Sequence, residues 1–409
     1  MQPTDTRGEH DIAAREGALK ILDRRNLKRK VAIVVGTRPS LVKMSPIIRE
    51  LKRRGADFFV IHTGQHYSYE LDRAFFLDLE LPEPAHRLDT VRGCRLHGEQ
   101  TAEMLRGIER VLLQERPAAV VVGGDANSNL SGALAARKLN IQLCHDESGL
   151  RSYDWLMPEE HNRVMIDHIA EFLFAPNETA RKTLEAERVR GKIFVTGTTI
   201  VDAVVQNRDL ALRKSTIRQR LGLADGAYAL MTVHHEENTD YRDNLAGIIE
   251  GANRVARRLG LPVVLPAHPR TKQRLETFGL SSCVSGPQIL LTEPVGYLDF
   301  LALLAGASLV LTDSGGVTQE SCILHIPCLT INRVTEWREV VEVGANLICG
   351  SDPDLIETGA LRMSQVAHVW PDPFGGPGPA ERIVDILLNE VLAKGYLPPR
   401  PRIPAGSPE

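Results

Sequence analysis

The residues of this sequence best suited to chemistry are three acidic side chains in its first half, Asp125, Glu147 and Glu159. All three lie near the ends of predicted strands. Carboxyl groups that share one site can act as general acid and general base for a substrate whose proton must be moved. A single acidic residue is usually a solvated surface residue, so it is the grouping of three that favours catalysis.

Two histidines follow apolar runs in the second half, His234 after 228–233 and His268 after 261–266. Because an imidazole titrates near neutral pH, a histidine in such a position can be a cation beside a ligand. A lone histidine is more often structural. If the two halves of the chain face each other, His234 would lie across a cleft from the carboxylates of the first half.

Two glycine-containing turns have the composition of anion-binding loops, GTRPSLVK (36–43) and DSGGVTQE (313–320). In each, small residues end a predicted strand and a helix begins, so the free N–H groups of the first helical turn can point at an anion. Arg38 and Lys43 would add positive charge to the first loop. The residues of the second loop that would hold a diphosphate are Ser314, Gly315 and Gly316. Ordinary turns and helix caps are the alternative for both loops.

The elements that must position these residues alternate between short β-branched runs and helical patterns, as is typical of βαβ units with a parallel sheet. The predicted strands form two series, 31–35, 57–62, 118–124, 141–144 and 193–197, then 228–233, 261–266, 288–292, 308–312 and 326–331. Most polar clusters follow these strands directly. Since ligands of doubly wound sheets bind at the carboxyl ends of the strands, we predict an α/β fold with two Rossmann-like domains that enclose one substrate.

Loss of the strand pattern in a charged helical stretch after residue 205 predicts the boundary between the domains. The predicted segments are an N-terminal extension (1–28), a domain with the carboxylates (29–205), a domain with the diphosphate loop (206–376), a helix packing back toward the first domain (377–396) and a proline-rich tail (397–409).

Composition and charge narrow the class of partner. A formal net charge of -3 gives no basic surface for nucleic acid. The six cysteines are scattered without a C-x-x-C pair, so neither a disulfide framework nor a zinc site is predicted. No window approaches the roughly 20 apolar residues of a membrane span, and the N-terminal segment lacks the apolar core of a signal peptide. We therefore expect a cytoplasmic protein without membrane insertion or bound metal that acts on a small molecule.

Seven motifs together resemble the UDP-N-acetylglucosamine 2-epimerases of the non-hydrolysing type: GTRPSLVKMSPI, TGQH, HDESGLRS, MPEEHNR, TVHHEEN, PAHPR and DSGGVTQES, in the family's order. The resemblance implies the GT-B arrangement of two Rossmann-like domains facing across a cleft. It also implies inversion of C2 of UDP-N-acetylglucosamine (UDP-GlcNAc) to UDP-N-acetylmannosamine, or of a close UDP-2-acetamido sugar. In that family UDP is eliminated to give a 2-acetamidoglucal and then adds back, without a cofactor. A homodimer is also expected.

The same resemblance implies a role for each candidate residue. The catalytic residues are then Asp125, Glu147, Glu159 and His234. The residues beside the substrate or UDP are Arg38, Lys43, Arg163, His268, Ser314, Gly315, Gly316 and Glu320, the last on the ribose hydroxyls. Gln65 and His66 match positions that bacterial members use for activation by UDP-GlcNAc, and Glu160 is expected to be structural.

Among the positions where the sequence departs from the family pattern, Asp146 and His235 stand in place of valine and arginine. Neighbouring strand residues point to opposite faces, so Asp146 should enter the packed layer beneath the face on which Glu147 lies. A buried carboxylate needs a partner or a raised pKa, and the expected partners are His145, His161 or a backbone N–H.

Three other functions stay open at this point. A hydrolysing 2-epimerase would release free N-acetylmannosamine and UDP, because water traps the intermediate. A GT-B glycosyltransferase would bind a UDP-sugar without needing both the HDESG and the PEEHNR carboxylates. A non-catalytic UDP-sugar sensor would keep the DSGG loop and lose the carboxylates, which this chain retains.

Overall fold

The computed structural model describes residues 21–65, 69–89, 91–335 and 337–394, which form two parallel β-sheets covered by helices. The strands are β1 (Lys28–Val35), β2 (Phe58–His62), β3 (His86–Arg87), β4 (Pro117–Gly123), β5 (Gln142–Asp146), β6 (Phe172–Ala175), β7 (Lys192–Val195), β8 (Ala229–Thr232), β9 (Val263–Pro266), β10 (Ile289–Thr292), β11 (Leu309–Thr312), β12 (Cys328–Thr330) and β13 (Asn346–Ile348).

Helices follow most of the strands. They are α1 (Arg38–Arg53), α2 (Tyr69–Asp78), α3 (His97–Glu115), α4 (Asn127–Lys138), α5 (Pro158–Ile169), α6 (Glu178–Ala186), α7 (Thr199–Lys214), α8 (Ile217–Arg220), α9 (Glu236–Thr239), α10 (Arg242–Leu259), α11 (Pro269–Thr277), α12 (Tyr297–Ala305), α13 (Gly315–Ile323), α14 (Arg338–Glu342), α15 (Pro353–Met363), α16 (Pro379–Ile386) and α17 (Leu392–Lys394). A π-helical turn, Leu387–Val391, joins the last two.

The first sheet has the strand order β3-β2-β1-β4-β5-β6-β7, and its strands are all parallel. Its apolar runs are buried on both faces, as a sheet sandwiched between helix layers requires. In β1, for example, Ile33 belongs to one core and its neighbour Val34 to the core on the opposite face. The chain reverses its winding direction between β1 and β4, so the ligand crevice is expected at the carboxyl ends of these two strands.

The second sheet repeats this plan with the order β10-β9-β8-β11-β12-β13, again all parallel. Its switch point lies between β8 and β11. The two doubly wound sheets confirm the predicted α/β class with two Rossmann-like halves.

One apolar core continues from the first sheet to the second through α7 and α12. Helix α7 packs on α1 of the first half and on α12 of the second, and α16 returns to pack on α1 and α7. The carboxylate of Asp202 in α7 accepts hydrogen bonds from the backbone N–H groups of Gly378 (2.7 Å) and Ala380 (2.8 Å), which fixes the start of α16. The predicted boundary at residues 205 and 206 falls inside α7, and the division into domains stays a prediction.

Two of the predicted segments reach beyond what the structure describes. Residues 1–20 of the predicted extension and the whole predicted tail lie outside the described residues. Within the described ranges, no helix combines the length and the apolar character needed to cross a membrane.

Candidate active site

Glu147 and Lys43 form an ion pair at the carboxyl edge of the first sheet. Glu147 comes directly after β5 with a left-handed backbone (φ 64°), and its Oε2 lies 2.8 Å from Nζ of Lys43 on α1. The glutamate side chain is only 6% exposed. Burial alone would lower the pKa of Lys43, but the neighbouring Glu147 carboxylate raises it overall. Lys43 therefore keeps its positive charge in a site that is largely closed to water.

Gly124 makes room for this carboxylate. It has φ +82°, and a Cβ atom at this position would lie 3.3 Å from Oε2 of Glu147. A side chain here would be strained by the backbone and would crowd the ion pair.

Asp125 follows Gly124 and bonds to the guanidinium of Arg163 on α5. The amide of Asn162 donates to the main-chain oxygen of Asp125 at 2.8 Å and to Oδ1 of Asn127 at 3.0 Å. Strand β4 and helix α5 are thus joined at Asp125, where a carboxylate and a guanidinium meet at one edge of the sheet. Two of the predicted site residues, Asp125 and Arg163, are in direct contact.

The neighbours Glu159 and Glu160 have opposite surroundings in the first turn of α5. Buried Glu160 accepts hydrogen bonds from the N–H of Ser152 (2.9 Å), from its hydroxyl (3.0 Å) and from the N–H of Tyr153 (3.1 Å). Half-buried Glu159 has no hydrogen bond or ion pair with any residue that the structure describes. Glu160 therefore holds the preceding loop against α5, as expected, while the Glu159 carboxylate is left for a ligand.

His234 lies at the carboxyl edge of the second sheet, anchored by Asp313. Its Nδ1 is 3.0 Å from one Asp313 oxygen, and the other oxygen accepts from the backbone N–H groups of His234 and His235, both at 2.8 Å. The hydrogen bond to Asp313 raises the pKa of His234 although partial burial opposes it. Burial would raise the pKa of Asp313, but the contact with His234 lowers it. With Nδ1 engaged, Nε2 is the nitrogen left for chemistry.

Asp313 as the partner of His234 was missing from the sequence-based site. The signal was present, since Asp313 opens the DSGG motif after β11, and β8 and β11 are adjacent at the switch point. Ser314 is the actual cap of α13, where its hydroxyl accepts from the N–H of Val317 at 3.4 Å.

The start of α13 has the features of a phosphate-binding turn. Gly315 and Gly316 form its first positions, where N–H groups have no acceptor within the helix. A Cβ at Gly316 would have only the Ser314 hydroxyl within 4 Å, at 3.8 Å, so the approach to this backbone is open. The positive end of the helix dipole favours an anion at the same place.

Glu320 lies further along α13, with its carboxyl group buried. The Tyr297 hydroxyl donates to its Oε1 at 3.1 Å, and burial raises the pKa of Glu320 to about 7. Its Oε2 has no hydrogen-bond partner among the described residues.

The other predicted residues are dispersed along the two carboxyl edges. Arg38 is exposed at the first position of α1, and exposed His268 caps α11, accepting from the N–H of Arg270 at 3.3 Å. Gln65 accepts from the N–H of Ser128 at 3.0 Å. His66 lies outside the described residues, so its predicted position is not described.

Asp146, the last residue of β5, is fully buried. Its partner is the Thr199 hydroxyl at 2.9 Å, at the start of α7. Of the expected partners, His145 pairs with Asp167 at 2.7 Å and His161 with the main-chain oxygen of Trp155 at 2.9 Å, whereas the backbone N–H of Glu147 does interact with Asp146. Burial and then the Glu147 charge raise the pKa of Asp146 to about 7.

Comparison with known proteins gives a consistent family. The sequence model of one family, described as UDP-N-acetylglucosamine 2-epimerase, matches residues 49–388. The protein of that name from Methanocaldococcus jannaschii is 46% identical over 88% of this chain and 98% of its own length. A UDP-2,3-diacetamido-2,3-dideoxy-D-glucuronate 2-epimerase from Pseudomonas aeruginosa is 36% identical over 88% of this chain and 99% of its own. A solved structure of the M. jannaschii enzyme in complex with UDP-GlcNAc and UDP is similar, with a TM-score of 0.76 at 46% identity over 88% of this chain and 99% of the other.

Proposed function

From the premise that this chain belongs to the UDP-N-acetylglucosamine 2-epimerase family, we propose that it inverts C2 of UDP-GlcNAc, or of a close UDP-2-acetamido sugar. The proposed reaction is reversible and gives UDP-N-acetylmannosamine from UDP-GlcNAc. In this proposal the first half of the chain (29–205) supplies the acid-base carboxylates and the second half (206–376) binds UDP.

The contact between His234 and Asp313 is the observation that carries the proposal. It places an imidazole with a raised pKa at the switch point of the second sheet, next to the strand end from which α13 begins. A cationic imidazole there can stabilise the negative charge that develops on a departing diphosphate. The glycine-rich start of α13 would hold the same phosphates through backbone N–H groups.

Inversion at C2 requires that the C1–O bond to UDP breaks as the proton leaves C2. A carboxylate removes the C2 proton, the electrons of the C2–H bond form the C1–C2 double bond, and the electrons of the C1–O bond leave with UDP. Return of a proton to the opposite face of C2 and re-addition of UDP complete the inversion. The acid and the base must lie on opposite sides of C2, and we assign these tasks to members of the group Asp125, Glu147 and Glu159.

Cationic side chains around this group would orient the substrate. Lys43 and Arg163 each already contact one of the carboxylates, so they can hold both the carboxylate and a substrate oxygen in place. Arg38 at the start of α1 and His268 at the start of α11 would contact UDP. Glu320 would accept the hydroxyls of its ribose.

A related substrate is favoured by one relative. The P. aeruginosa protein is named for a UDP-diacetamido-glucuronate, so a UDP-2-acetamido sugar with further substituents is the second candidate. The greater identity to the M. jannaschii protein, 46% against 36%, supports UDP-GlcNAc as the first.

Proton exchange in deuterated water tests the reaction. The purified protein is incubated with UDP-GlcNAc in D2O, and NMR follows C2 and the anomeric phosphate. We expect both UDP-linked epimers to appear with deuterium at C2. Free N-acetylmannosamine with stoichiometric UDP would instead assign the hydrolysing reaction, and exchange-free transfer of the sugar would assign a glycosyltransferase.

Some predictions from the sequence extend past this reaction. The homodimer, the cytoplasmic location and activation by UDP-GlcNAc through Gln65 and His66 stay predictions.

A further inference from the structure

A partly buried run of polar side chains lies behind the carboxylate proposed to bind ribose. Arg49 on α1 donates to Asn207 on α7, and Tyr297 on α12 donates to Glu320 on α13. Although burial raises the pKa of Tyr297, Asn207 and Arg49 both act to lower it, so the two pairs are neighbours. Two of these helices follow strands of the first half, and two belong to the second. The run therefore joins the first half of the chain to the proposed nucleotide site.

Arg49 fixes the orientation of the Asn207 amide. A guanidinium has only donors, and Arg49 donates to Oδ1 of Asn207 at 2.7 Å. The same guanidinium donates to Oε1 of Gln206 (2.7 Å) and to the main-chain oxygen of Leu79 (2.8 Å), so it is held by partners on two sides. Because the amide oxygen faces Arg49, the NH2 group of the fully buried Asn207 must face the opposite way.

The Tyr297 hydroxyl keeps its proton, because burial raises the pKa of Tyr297 well above its usual range. It donates that proton to Oε1 of Glu320 at 3.1 Å. The buried NH2 group of Asn207 forms no hydrogen bond with the described residues, so the bond from Tyr297 is the one that reaches Glu320.

The protonation state of the Glu320 carboxyl group depends on the hydrogen bond from the Tyr297 hydroxyl. A carboxyl group with a pKa of about 7 is partly protonated at neutral pH, and a protonated carboxyl would present a donor where ribose needs an acceptor. A hydrogen bond donated to Oε1 favours the ionised form and fixes the plane of the carboxylate. Oε2, which has no partner among the described residues, is then available as an acceptor.

We propose that Tyr297 is a positioning residue for nucleotide recognition, which holds Glu320 as an oriented acceptor for the ribose hydroxyls. The proposal rests on the proposed function, in which Glu320 contacts the ribose of UDP. In this proposal Tyr297 itself contacts no substrate. Its effect is therefore measured as the preference of the protein for a ligand with a ribose 2′-hydroxyl over a ligand with hydrogen at that position.

Calorimetric titration with UDP and with 2′-deoxy-UDP measures that distinction. The unmodified protein should bind UDP more tightly by roughly tenfold or more, as expected when a site built for a hydroxyl meets a ligand without it. In Tyr297→Phe the ratio of the two dissociation constants should fall roughly three- to tenfold, the size of one lost hydrogen bond. The ring stays packed on Phe75, 5.8 Å between centroids, so folding should be preserved.

Tyr228→Phe is the matched control. Tyr228 is a buried tyrosine in the same half, and its hydroxyl donates to the main-chain oxygen of Leu303 at 2.5 Å, away from α13. This variant should keep the ratio for UDP and 2′-deoxy-UDP unchanged.

Several results would overturn the proposal in distinguishable ways. If Tyr297→Phe weakens both ligands by the same factor or leaves the ratio unchanged, Tyr297 is only structural. If the unmodified protein binds both ligands equally, Glu320 does not contact the 2′-hydroxyl and the inference fails while the epimerase assignment stands. If it binds no UDP, the proposed function itself fails.

Discussion

Asp146 and Glu147 are adjacent in the chain, yet their carboxylates have different partners, the Thr199 hydroxyl at 2.9 Å and the Lys43 ammonium at 2.8 Å. The strand ends at Asp146, and the left-handed backbone of Glu147 turns its side chain toward α1. One carboxyl is thereby enclosed beneath the sheet edge, and the other is held at that edge. In the proposed reaction, the carboxylate of Glu147 is the one that acts on the substrate.

Glu147→Gln should lower the rate of epimerisation by roughly two to four decades, because an amide can neither accept nor return the C2 proton. Binding of UDP should survive, since the proposed nucleotide residues other than Arg38 lie in the other half. Initial rates by NMR and calorimetry with UDP measure the two properties. Asp146→Asn is the adjacent control, and it should keep the rate; equal losses in both variants would mean that Glu147 acts only through local structure.

The pH dependence of the rate should report the contact between His234 and Asp313. If protonated His234 assists UDP departure, kcat falls as pH rises through its pKa, which Asp313 holds above the ordinary value of 6.5. Removing the charge in Asp313→Asn lowers that pKa, so the alkaline fall of kcat should begin at a lower pH. A full pH profile for each protein measures the shift.

His235→Gln is the control for this profile, because its side chain is exposed and only its backbone N–H bonds to Asp313. Its alkaline limb should coincide with that of the unmodified protein. An alkaline limb that is the same in Asp313→Asn would exclude His234 as the titrating acid.

The buried Asp146 should make stability depend on pH. Its folded pKa of about 7 exceeds the ordinary 3.8, so the folded state binds a proton more tightly than the unfolded chain. The stabilising effect of that proton is complete below pH 3.8 and is lost as pH rises through about 7. A shift of this size corresponds to an effect on the order of 4 kcal/mol.

Asp146→Asn removes the titrating group and should therefore gain stability relative to the unmodified protein as pH rises from 5 to 8. Urea midpoints at both pH values measure the difference. Thr199→Val should act in the opposite sense, because it removes the one hydroxyl donor to the Asp146 carboxylate. A difference between Asp146→Asn and the parent that is constant with pH would show that Asp146 does not titrate in this range.

Features of this structure that are determined by a short stretch of sequence can be predicted from the sequence. The strands at 31–35 and 118–124 are visible as β-branched runs, and the doubly wound order then places their polar ends together. The short strands Phe172–Ala175 and Asn346–Ile348 escaped the pattern. The first has only four residues and no alternation, and the second begins with a polar residue.

Side-chain partners were predictable only where strand order determines them. The pairing of His234 with Asp313 follows from the adjacency of β8 and β11 and could have been deduced. The bonds from Thr199 to Asp146 and from Tyr297 to Glu320 depend on how helices pack over the sheets, which no local pattern specifies. The family resemblance supplied Glu320 as a site residue but not the tyrosine behind it.

Glu159 and Glu160 are adjacent on one helical turn, and substituting each in turn separates a catalytic role from a structural role. Glu159 makes no hydrogen bond with the described residues, so Glu159→Gln should keep the melting temperature while lowering the rate by roughly two to four decades. Glu160→Gln should lower the melting temperature while keeping the rate. Its two oxygens face the N–H groups of Ser152 and Tyr153, so an amide must set its NH2 against at least one donor. Leaving such buried groups unpaired costs about 1–3 kcal/mol, which differential scanning calorimetry detects as a lower melting temperature. A rate loss in Glu160→Gln that exceeds the loss in Glu159→Gln at a temperature where both are folded would exchange the roles assigned to the two glutamates.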